Sequence, residues 1–164
     1  MYKRQGFYRK RKGPDGSEIL ALDLATMEYR PQRKVTSASL EAARLAKGAA
    51  EKTRALLGGG DRYSELAWSL LKQVLVYAAA KLGEIAGSVR EIDDAMKWGF
   101  NWELGPFETW DAIGLVDSVR RMEEEGTAVP AWVKEWIAQG NTSFYRKRDG
   151  ATFYVLDGNY ARLE

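Results

Sequence analysis

A chain of 164 residues can bury a substantial core, and a composition with 45% hydrophobic and 29% charged residues is typical of a globular protein. The absence of cysteine and histidine excludes disulfides, thiolate nucleophiles, cysteine-ligated zinc, iron–sulfur clusters and histidine general bases. A net charge of +2 argues against a dedicated nucleic-acid binder, and no apolar run approaches the ~20 residues of a membrane span, so we expect a cytoplasmic protein.

An internal repeat lies near the two ends of the chain. The run F-Y-R-K-R at Phe7–Arg11 recurs at Phe144–Arg148, which indicates one structural element used twice. A Leu-Asp pair and a tyrosine follow each copy, with three more residues before the pair in the first copy: Leu22, Asp23 and Tyr29, and Leu156, Asp157 and Tyr160. Each copy predicts a β-hairpin, with a longer turn at Gly13-Pro14-Asp15-Gly16 and a two-residue type I′ turn at Asp149-Gly150.

Between the hairpins, apolar residues recur at three- and four-residue steps and predict helices. The first predicted helix is amphipathic, covers residues 39–57 and ends at Gly58–Gly60, and the second is a long helix capped by Asp61, with an apolar stripe from Leu66 to Ile85 and a break at Gly87. A third helix begins at a Ser88/Glu91 capping box and ends at Gly99. Three further helices are predicted over 105–113, 115–125 (with Val116, Val119 and Met122 facing inward) and 130–140. The pattern predicts a mainly α protein, a helical bundle with a small β-hairpin at each end.

The first hairpin has no helical segment before it in this sequence. If each hairpin closes a helical unit, residues 1–35 are the closing hairpin and linker of a preceding unit, and residues 36–164 are one domain with its own hairpin. Six basic residues and no acid among the first twelve residues indicate an exposed edge or an interface with a neighbour.

Three patterns carry chemistry in other proteins and are more often structural. The glycine-rich run Gly58–Asp61 could cradle a phosphate, but it lacks a preceding strand and a following lysine, which favours a helix–helix linker. The acid pairs Asp93/Asp94 and Glu108/Asp111 could act in general acid–base catalysis, but their spacing suits caps and ion pairs on helices. The F-Y-R-K-R runs mix aromatic and basic residues as nucleic-acid platforms do, but they also fit amphipathic strands.

The segment Trp98–Trp110 is the densest aromatic feature, with five aromatic residues in thirteen. Aromatic side chains dominate both cores and interfaces, so the segment predicts either a plug between helices or an interface or acyl-chain wall.

This part of the chain resembles a known family. Ile92–Phe100, followed by Gly105–Glu108 and Trp110–Gly114, is similar to the I-D-x-A-M-K-x-G…G-P-F-E-x-x-D-x-x-G pattern of the 3-hydroxyacyl-CoA dehydrogenase C-terminal domain. The resemblance is direct over residues 63–114, and the repeated hairpin resembles the segment that closes such domains in multifunctional fatty-acid oxidation proteins.

The resemblance implies a helical domain that docks other domains, shapes the acyl-CoA cleft and mediates dimerisation in an NAD-dependent enzyme of fatty-acid β-oxidation. It places NAD and the catalytic His–Glu pair in a separate Rossmann domain. The implied partners are that Rossmann domain, a preceding helical unit, a second copy of the protein and, in some members, an enoyl-CoA hydratase domain. Neither nucleic acid nor a membrane is an expected partner.

From the same resemblance we expect seven positions of this segment to have architectural roles. They are Lys97, Gly105 at a sharp backbone turn, Pro106 at a helix start, Phe107 and Trp110 as buried anchors, Asp111 as the polar group that fixes the turn, and Gly114. Trp68 falls near the position of the family's substrate-contacting asparagine, and an indole cannot replace a carboxamide.

We therefore expect no catalytic, cofactor-binding or metal-binding residue in this chain. Two other hypotheses remain: a basic-hairpin module that binds nucleic acid or an anionic surface, and an enzyme that works with tyrosine and lysine.

Overall fold

The structure is a computed structural model that describes residues 6–13, 16–33, 35–156 and 158–163. The chain divides into two compact units, Met1–Thr36 and Ser37–Glu164. Among the described residues, none of the helices is both long and apolar enough to cross a membrane.

The first unit is a three-stranded antiparallel sheet in the order β1 (Tyr8–Gly13), β2 (Gly16–Asp23) and β3 (Glu28–Pro31). Gly13 and Gly16 form the last pair of the β1–β2 ladder, and the predicted turn residues Pro14 and Asp15 lie outside the described residues. The third strand was not predicted, although its Tyr29 belongs to the repeat.

The second unit is mainly helical. Its helices are α1 (Ala38–Leu45), α2 (Gly48–Leu57), α3 (Arg62–Lys81), α4 (Val89–Phe100), α5 (Pro106–Ile113), α6 (Leu115–Glu124) and α7 (Ala131–Ala138). A second antiparallel sheet follows, in the order β4 (Tyr145–Arg148), β5 (Ala151–Leu156) and β6 (Asn159–Arg162). The predicted fold class, a mainly α bundle with small β elements, is confirmed.

Several local predictions are also confirmed. Asp61 caps α3 by accepting hydrogen bonds from the backbone of Tyr63 and Ser64, and Ser88 caps α4 by accepting one from Glu91 N. Asp149 and Gly150 have φ values of 50° and 75°, as a type I′ turn requires of both central residues.

Three helix predictions are wrong. The helix over 39–57 is two helices, because Ala46 and Lys47 are extended and Gly48, which begins α2, has a positive φ of 72°. The helix that starts at Asp61 ends at Lys81 rather than at Gly87, because the chain turns at Gly83, where φ is 83°. Val116 is 40% exposed rather than inward, since it lies beside the buried stripe of α6 that Leu115, Val119 and Met122 form.

The register of the repeat also differs from the predicted one. Leu22 N donates to Phe7 O and Val155 N donates to Phe144 O, so Leu22 corresponds to Val155 and not to Leu156. The β1–β2 ladder has six residue pairs and the β4–β5 ladder has four. A hairpin with an unchanged turn length can be extended only by cross-strand pairs, that is, by one residue in each strand. Two added pairs lengthen each strand by two residues and keep every side chain on the same face of the sheet, whereas an insertion of three residues would not. Asp157 lies outside the described residues.

The core of the second unit collects side chains from α3 to α7 and from the sheet. Its centre is an aromatic cluster of Phe107, Trp110, Trp132 and Phe144, in which the ring of Phe144 lies 5.0 to 5.6 Å from the other three. Phe144, which precedes the first strand of the second sheet, therefore packs into the helical core and connects the sheet to it.

Candidate functional site

The N-terminus of α5 is capped by a carboxylate from another helix. Its N-cap residue is Gly105, which has no side chain to offer. Asp93, in α4, accepts hydrogen bonds from Phe107 N at 2.8 Å and from Glu108 N at 3.0 Å. Asp93 thus satisfies two of the backbone donors that a helix start leaves unpaired, and it joins α4 to α5.

This close approach explains the glycine at position 105. Its φ and ψ are −75° and 175°, an extended conformation that any residue adopts, so the backbone conformation does not itself require a glycine here. A Cβ at Gly105 would instead overlap the backbone and Cβ of Asp93. Pro106 follows at the first helical position, where a missing N–H costs nothing.

Glu108 completes the cap, and Lys97 orients it. Glu108 Oε2 accepts a hydrogen bond from Gly105 N at 2.8 Å, which is the return half of a capping box. Lys97 Nζ lies 2.9 Å from Glu108 Oε1 and 3.1 Å from Asp94 Oδ1. Of the predicted acid pairs, Asp93, Asp94 and Glu108 are therefore parts of a helix cap and of ion pairs, whereas Asp111 bonds the backbone of a strand.

Asp111 holds the start of the second sheet. Its carboxylate accepts hydrogen bonds from Phe144 N at 2.8 and 3.0 Å and from Tyr145 N at 2.8 Å. The hydroxyl of Tyr145 donates to Asp93 Oδ2 at 2.8 Å. Two aspartates from different helices thus hold the first two residues of the repeated run. We use the name sheet socket for Asp93, Asp111 and the three rings that surround Phe144, which are those of Phe107, Trp110 and Trp132.

Burial changes the acidity of both socket aspartates. Desolvation raises the pKa of Asp93 to about 7, against the opposing effect of the hydrogen bonds from Phe107, Tyr145 and Glu108. Desolvation likewise raises the pKa of Asp111 to about 7, opposed by the donors of Phe144 and Tyr145. Raised carboxyl pKa values often mark catalytic acids, but here every oxygen of the two groups accepts from the domain's own backbone or side chains.

Trp110 and Gly114 fix the junction of α5 and α6. Trp110 is fully buried, and its Nε1 donates to Ser118 Oγ at 2.7 Å. Gly114 ends α5 and precedes α6 with a φ of 94°, a backbone conformation that favours glycine.

Trp68 is also committed to packing. It is 4% exposed, and its Nε1 donates to both carboxylate oxygens of Glu125 at 2.9 and 2.8 Å. The guanidinium of Arg121 lies 4.5 Å from the centre of its indole ring. Hydrogen bonds, first from Lys72 and then from Trp68 and Arg121, lower the pKa of Glu125 to about 2. The indole therefore fastens α3 to the end of α6.

The glycine-rich run 58–60 serves as a linker. Asp61 accepts from Ser39 Oγ at 2.7 Å and from Ser39 N at 3.1 Å, in addition to capping α3. A Cβ at Gly59 would overlap Ser39, so this glycine permits the close approach of two chain segments. The prediction of a helix–helix linker is confirmed.

The aromatic segment Trp98–Trp110 has a buried part and an exposed part. Phe107 and Trp110 are fully buried in the core. Trp98, Phe100 and Trp102 are 81%, 71% and 40% exposed. The predicted plug is therefore found for Phe107 and Trp110, whereas the other three aromatic residues are exposed, a division that the sequence alone did not reveal.

An apolar groove lies beside this exposed part. It has a volume of about 580 Å³, within the range of ligand pockets. Its apolar lining comes mainly from α3, from α4 and from the segments that flank α4: Val74, Tyr77, Ile85, Ile92, Met96 and Trp102. Lys81 is the cation among the lining residues, and its Nζ pairs with Glu84 at 2.7 Å. The groove is suited to an apolar partner surface or an acyl chain.

The two copies of the repeat present their aromatic residues differently. In the second copy Phe144 is fully buried and the three basic residues after Tyr145 are exposed, so the prediction of an amphipathic strand is confirmed there. In the first copy Phe7 is 69% and Tyr8 is 64% exposed.

Over the described ranges, no three potential ligand side chains cluster as a metal site would need.

The chain is similar in sequence to known proteins. Residues 68–154 match the sequence pattern of the family described as the 3-hydroxyacyl-CoA dehydrogenase, C-terminal domain. The chain is 47% identical over 160 residues to a probable 3-hydroxyacyl-CoA dehydrogenase of Bacillus subtilis strain 168. The similarity covers 98% of this chain and 20% of that relative. No solved structure is significantly similar to the chain.

Proposed function

The chain belongs to the family of 3-hydroxyacyl-CoA dehydrogenase C-terminal domains, and on that premise we propose that it is a non-catalytic docking domain of an NAD-dependent enzyme. The complete enzyme would oxidise 3-hydroxyacyl-CoA in the cytoplasm, as a step of fatty-acid β-oxidation. A Rossmann domain elsewhere in that enzyme would bind NAD and supply the catalytic histidine. Since the chain spans 20% of the length of its Bacillus relative, the activity is assigned to the whole protein.

The apolar groove beside the exposed aromatic residues is the observation that carries this proposal. Tyr77 and Ile85 line it and are 65% and 70% exposed, while Trp102 is 40% exposed. Burial of apolar surface is favourable at roughly 25 cal/mol per Å², so side chains of this size gain most from a partner that covers them. We assign the groove to docking of the Rossmann domain, where it would form one wall of the acyl-CoA cleft.

Trp68 supports a non-catalytic role. A residue that hydrogen-bonds a substrate needs a polar group that is free to do so, and the indole N–H of Trp68 is bonded to Glu125 inside the domain. The socket aspartates are likewise bonded to backbone donors. The aspartates of the family pattern thus stabilise the fold of this unit. We extend the proposal to subunit assembly through the exposed Trp98 and Phe100.

Adding the chain to a separately produced Rossmann portion of the same enzyme tests the proposal. We expect saturable association by calorimetry and NADH formation from 3-hydroxyacyl-CoA that neither part shows alone. Tyr77→Ser and Trp102→Ser should weaken the association at least about tenfold, as loss of an interface anchor does. Leu45→Ser is the matched control, because Leu45 is 78% exposed on α1 and does not line the groove. Association that survives both groove variants would refute this assignment.

A second candidate rests on the exposed first strand. All of β1 is exposed, with Arg9, Lys10, Arg11 and Lys12 in sequence beside Phe7 and Tyr8. A basic hairpin of this kind could bind nucleic acid or an anionic surface. Such binding would fall steeply with salt, because phosphate contacts release counterions, and titration with labelled single and double strands at two salt concentrations would detect it.

A further inference from the structure

The two sheets of this chain share an internal geometry that goes beyond their shared run of five residues. Tyr29 Oη donates to Gly6 O at 2.5 Å, and Tyr160 Oη donates to Ser143 O at 2.7 Å. Gly6 and Ser143 are the residues that precede the repeated run in each copy.

The cation–π pairs correspond as well. The guanidinium of Arg9 lies 5.7 Å from the ring centre of Tyr29, and that of Arg146 lies 3.8 Å from the ring centre of Tyr160. The bond from Leu22 N to Phe7 O matches the bond from Val155 N to Phe144 O. The two sheets thus share these hydrogen bonds and this cation–π pair, and the β1–β2 ladder of the first sheet is two residue pairs longer than the β4–β5 ladder of the second.

The second copy is seated in a helical socket within its own unit. There Phe144 fills the aromatic cluster, the N–H groups of Phe144 and Tyr145 bond Asp111, and the hydroxyl of Tyr145 bonds Asp93. The corresponding Phe7 and Tyr8 are 69% and 64% exposed. A large aromatic side chain gains a few kcal/mol on burial, so two adjacent exposed ones indicate a surface that is covered in an assembly.

We propose that the first sheet seats in a second socket: a helical unit of the same build, with two buried aspartates where this chain has Asp93 and Asp111. Phe7 enters an aromatic cluster, the N–H groups of Phe7 and Tyr8 bond one aspartate, and the hydroxyl of Tyr8 bonds the other. The inference rests on the proposed function, which makes this chain part of a larger dehydrogenase with a preceding helical unit. It adds the partner's chemistry and the contacts that would hold it.

A sheet graft within the full chain tests this fit. Residues 143–163 are replaced by a second copy of residues 6–33, so that the socket of Asp93 and Asp111 must accept the first sheet. We expect cooperative thermal unfolding with a midpoint within about 10 °C of the unaltered chain, a loss that corresponds to a few imperfect contacts. In the grafted copy, Phe7→Ala should lower the midpoint by at least about 4 °C more. The matched control is Lys10→Ala in the same copy, since its counterpart Lys147 is exposed.

A peptide titration supplies a second measurement that needs no new junction. Phe144→Ala in the full chain should weaken the seating of the second sheet, because Phe144 is fully buried, and a peptide of residues 143–163 should then raise the melting midpoint. We expect a peptide of residues 6–33 to raise it as well, and the same peptide with Phe7→Ala to have no effect. A graft that fails to fold, together with a 6–33 peptide that leaves the midpoint unchanged, overturns the proposal, as does a graft indifferent to Phe7→Ala. Both measurements report on the socket alone, so they are independent of association with the Rossmann portion.

Discussion

Tyr145 and Asp93 are joined by a 2.8 Å hydrogen bond from the tyrosine hydroxyl to a fully buried carboxylate, although 52 residues separate them in sequence. The bond links the first strand of the second sheet to α4, and through the backbone donors of Phe107 and Glu108 it links both to α5. Asp93 is therefore a junction at which three elements meet.

Tyr145→Phe should cost about 1–3 kcal/mol of unfolding free energy, because it leaves a buried carboxylate with one donor fewer. Urea unfolding followed by tryptophan fluorescence measures this. Tyr154→Phe is the matched control: Tyr154 pairs with Tyr145 across the ladder, and no hydrogen bond of its hydroxyl is seen among the described residues. Equal effects of the two variants would contradict the role given to Tyr145.

Stability should fall as pH rises from about 5 to 7. The pKa values of Asp93 and Asp111 are raised to about 7 in the folded protein from an ordinary 3.8, so the folded state binds more protons than the unfolded chain in this window. Each such carboxyl contributes a decrease of up to about 1.4 kcal/mol per pH unit. Glu125 has the opposite sign, but its pKa is lowered from 4.5 to about 2, so its contribution is lost only under more acidic conditions.

Urea unfolding at a series of pH values measures this slope. In Asp93→Asn and in Asp111→Asn the decrease between about pH 5 and 7 should be shallower than in the unaltered chain, whatever their absolute stability. A free energy of unfolding that rises with pH over this window would show that the hydrogen bonds outweigh burial at both aspartates.

Phe107→Ala should cost about 3–5 kcal/mol, since Phe107 is fully buried and its ring contacts those of Trp132 and Phe144. Phe100→Ala is the matched control from the same aromatic segment, and because Phe100 is 71% exposed we expect a change within about 0.5 kcal/mol. Chemical unfolding of both variants separates the contribution of the core part of the segment from that of its exposed part. A loss under about 1 kcal/mol for Phe107→Ala would place that residue at an interface.

Gly105→Ala should destabilise the domain by about 1–3 kcal/mol or more, because the new methyl group would overlap Asp93 and displace it from the start of α5. Gly99→Ala is expected to have the opposite sign. Gly99 lies within α4, a Cβ there meets no atom within 4 Å, and alanine is favoured over glycine in a helix by about 0.5–1 kcal/mol. Thermal melts of the two variants should therefore move in opposite directions.

Features that depend on a few neighbouring residues were predictable from the sequence. The cap at Ser88, the cap at Asp61 and the turn at Asp149-Gly150 are examples, because a side chain that bonds the backbone two or three residues away needs no distant partner. The break just before Gly48 was missed, since a lone glycine inside a helical pattern does not reveal the sign of its φ.

The socket was not predictable in this way, although one signal for it was present. The run G-P-F-E starts a helix with a glycine at the N-cap, so its donors require an acceptor from elsewhere in the chain. The sequence did not say that Asp93 is that acceptor, nor that Asp111 bonds a strand 33 residues away.

The sequence by itself determined the helical character of this chain, its repeated hairpin and its family pattern, because periodicity, caps and turn residues act over short distances. Only the tertiary structure decided that Phe144 is buried whereas Phe7 is exposed, that Phe107 lies in the core whereas Phe100 faces outward, and that the aspartates of the pattern hold the fold together. Identical residues take different environments because burial and hydrogen bonding depend on which distant elements pack against them, and that information is not local.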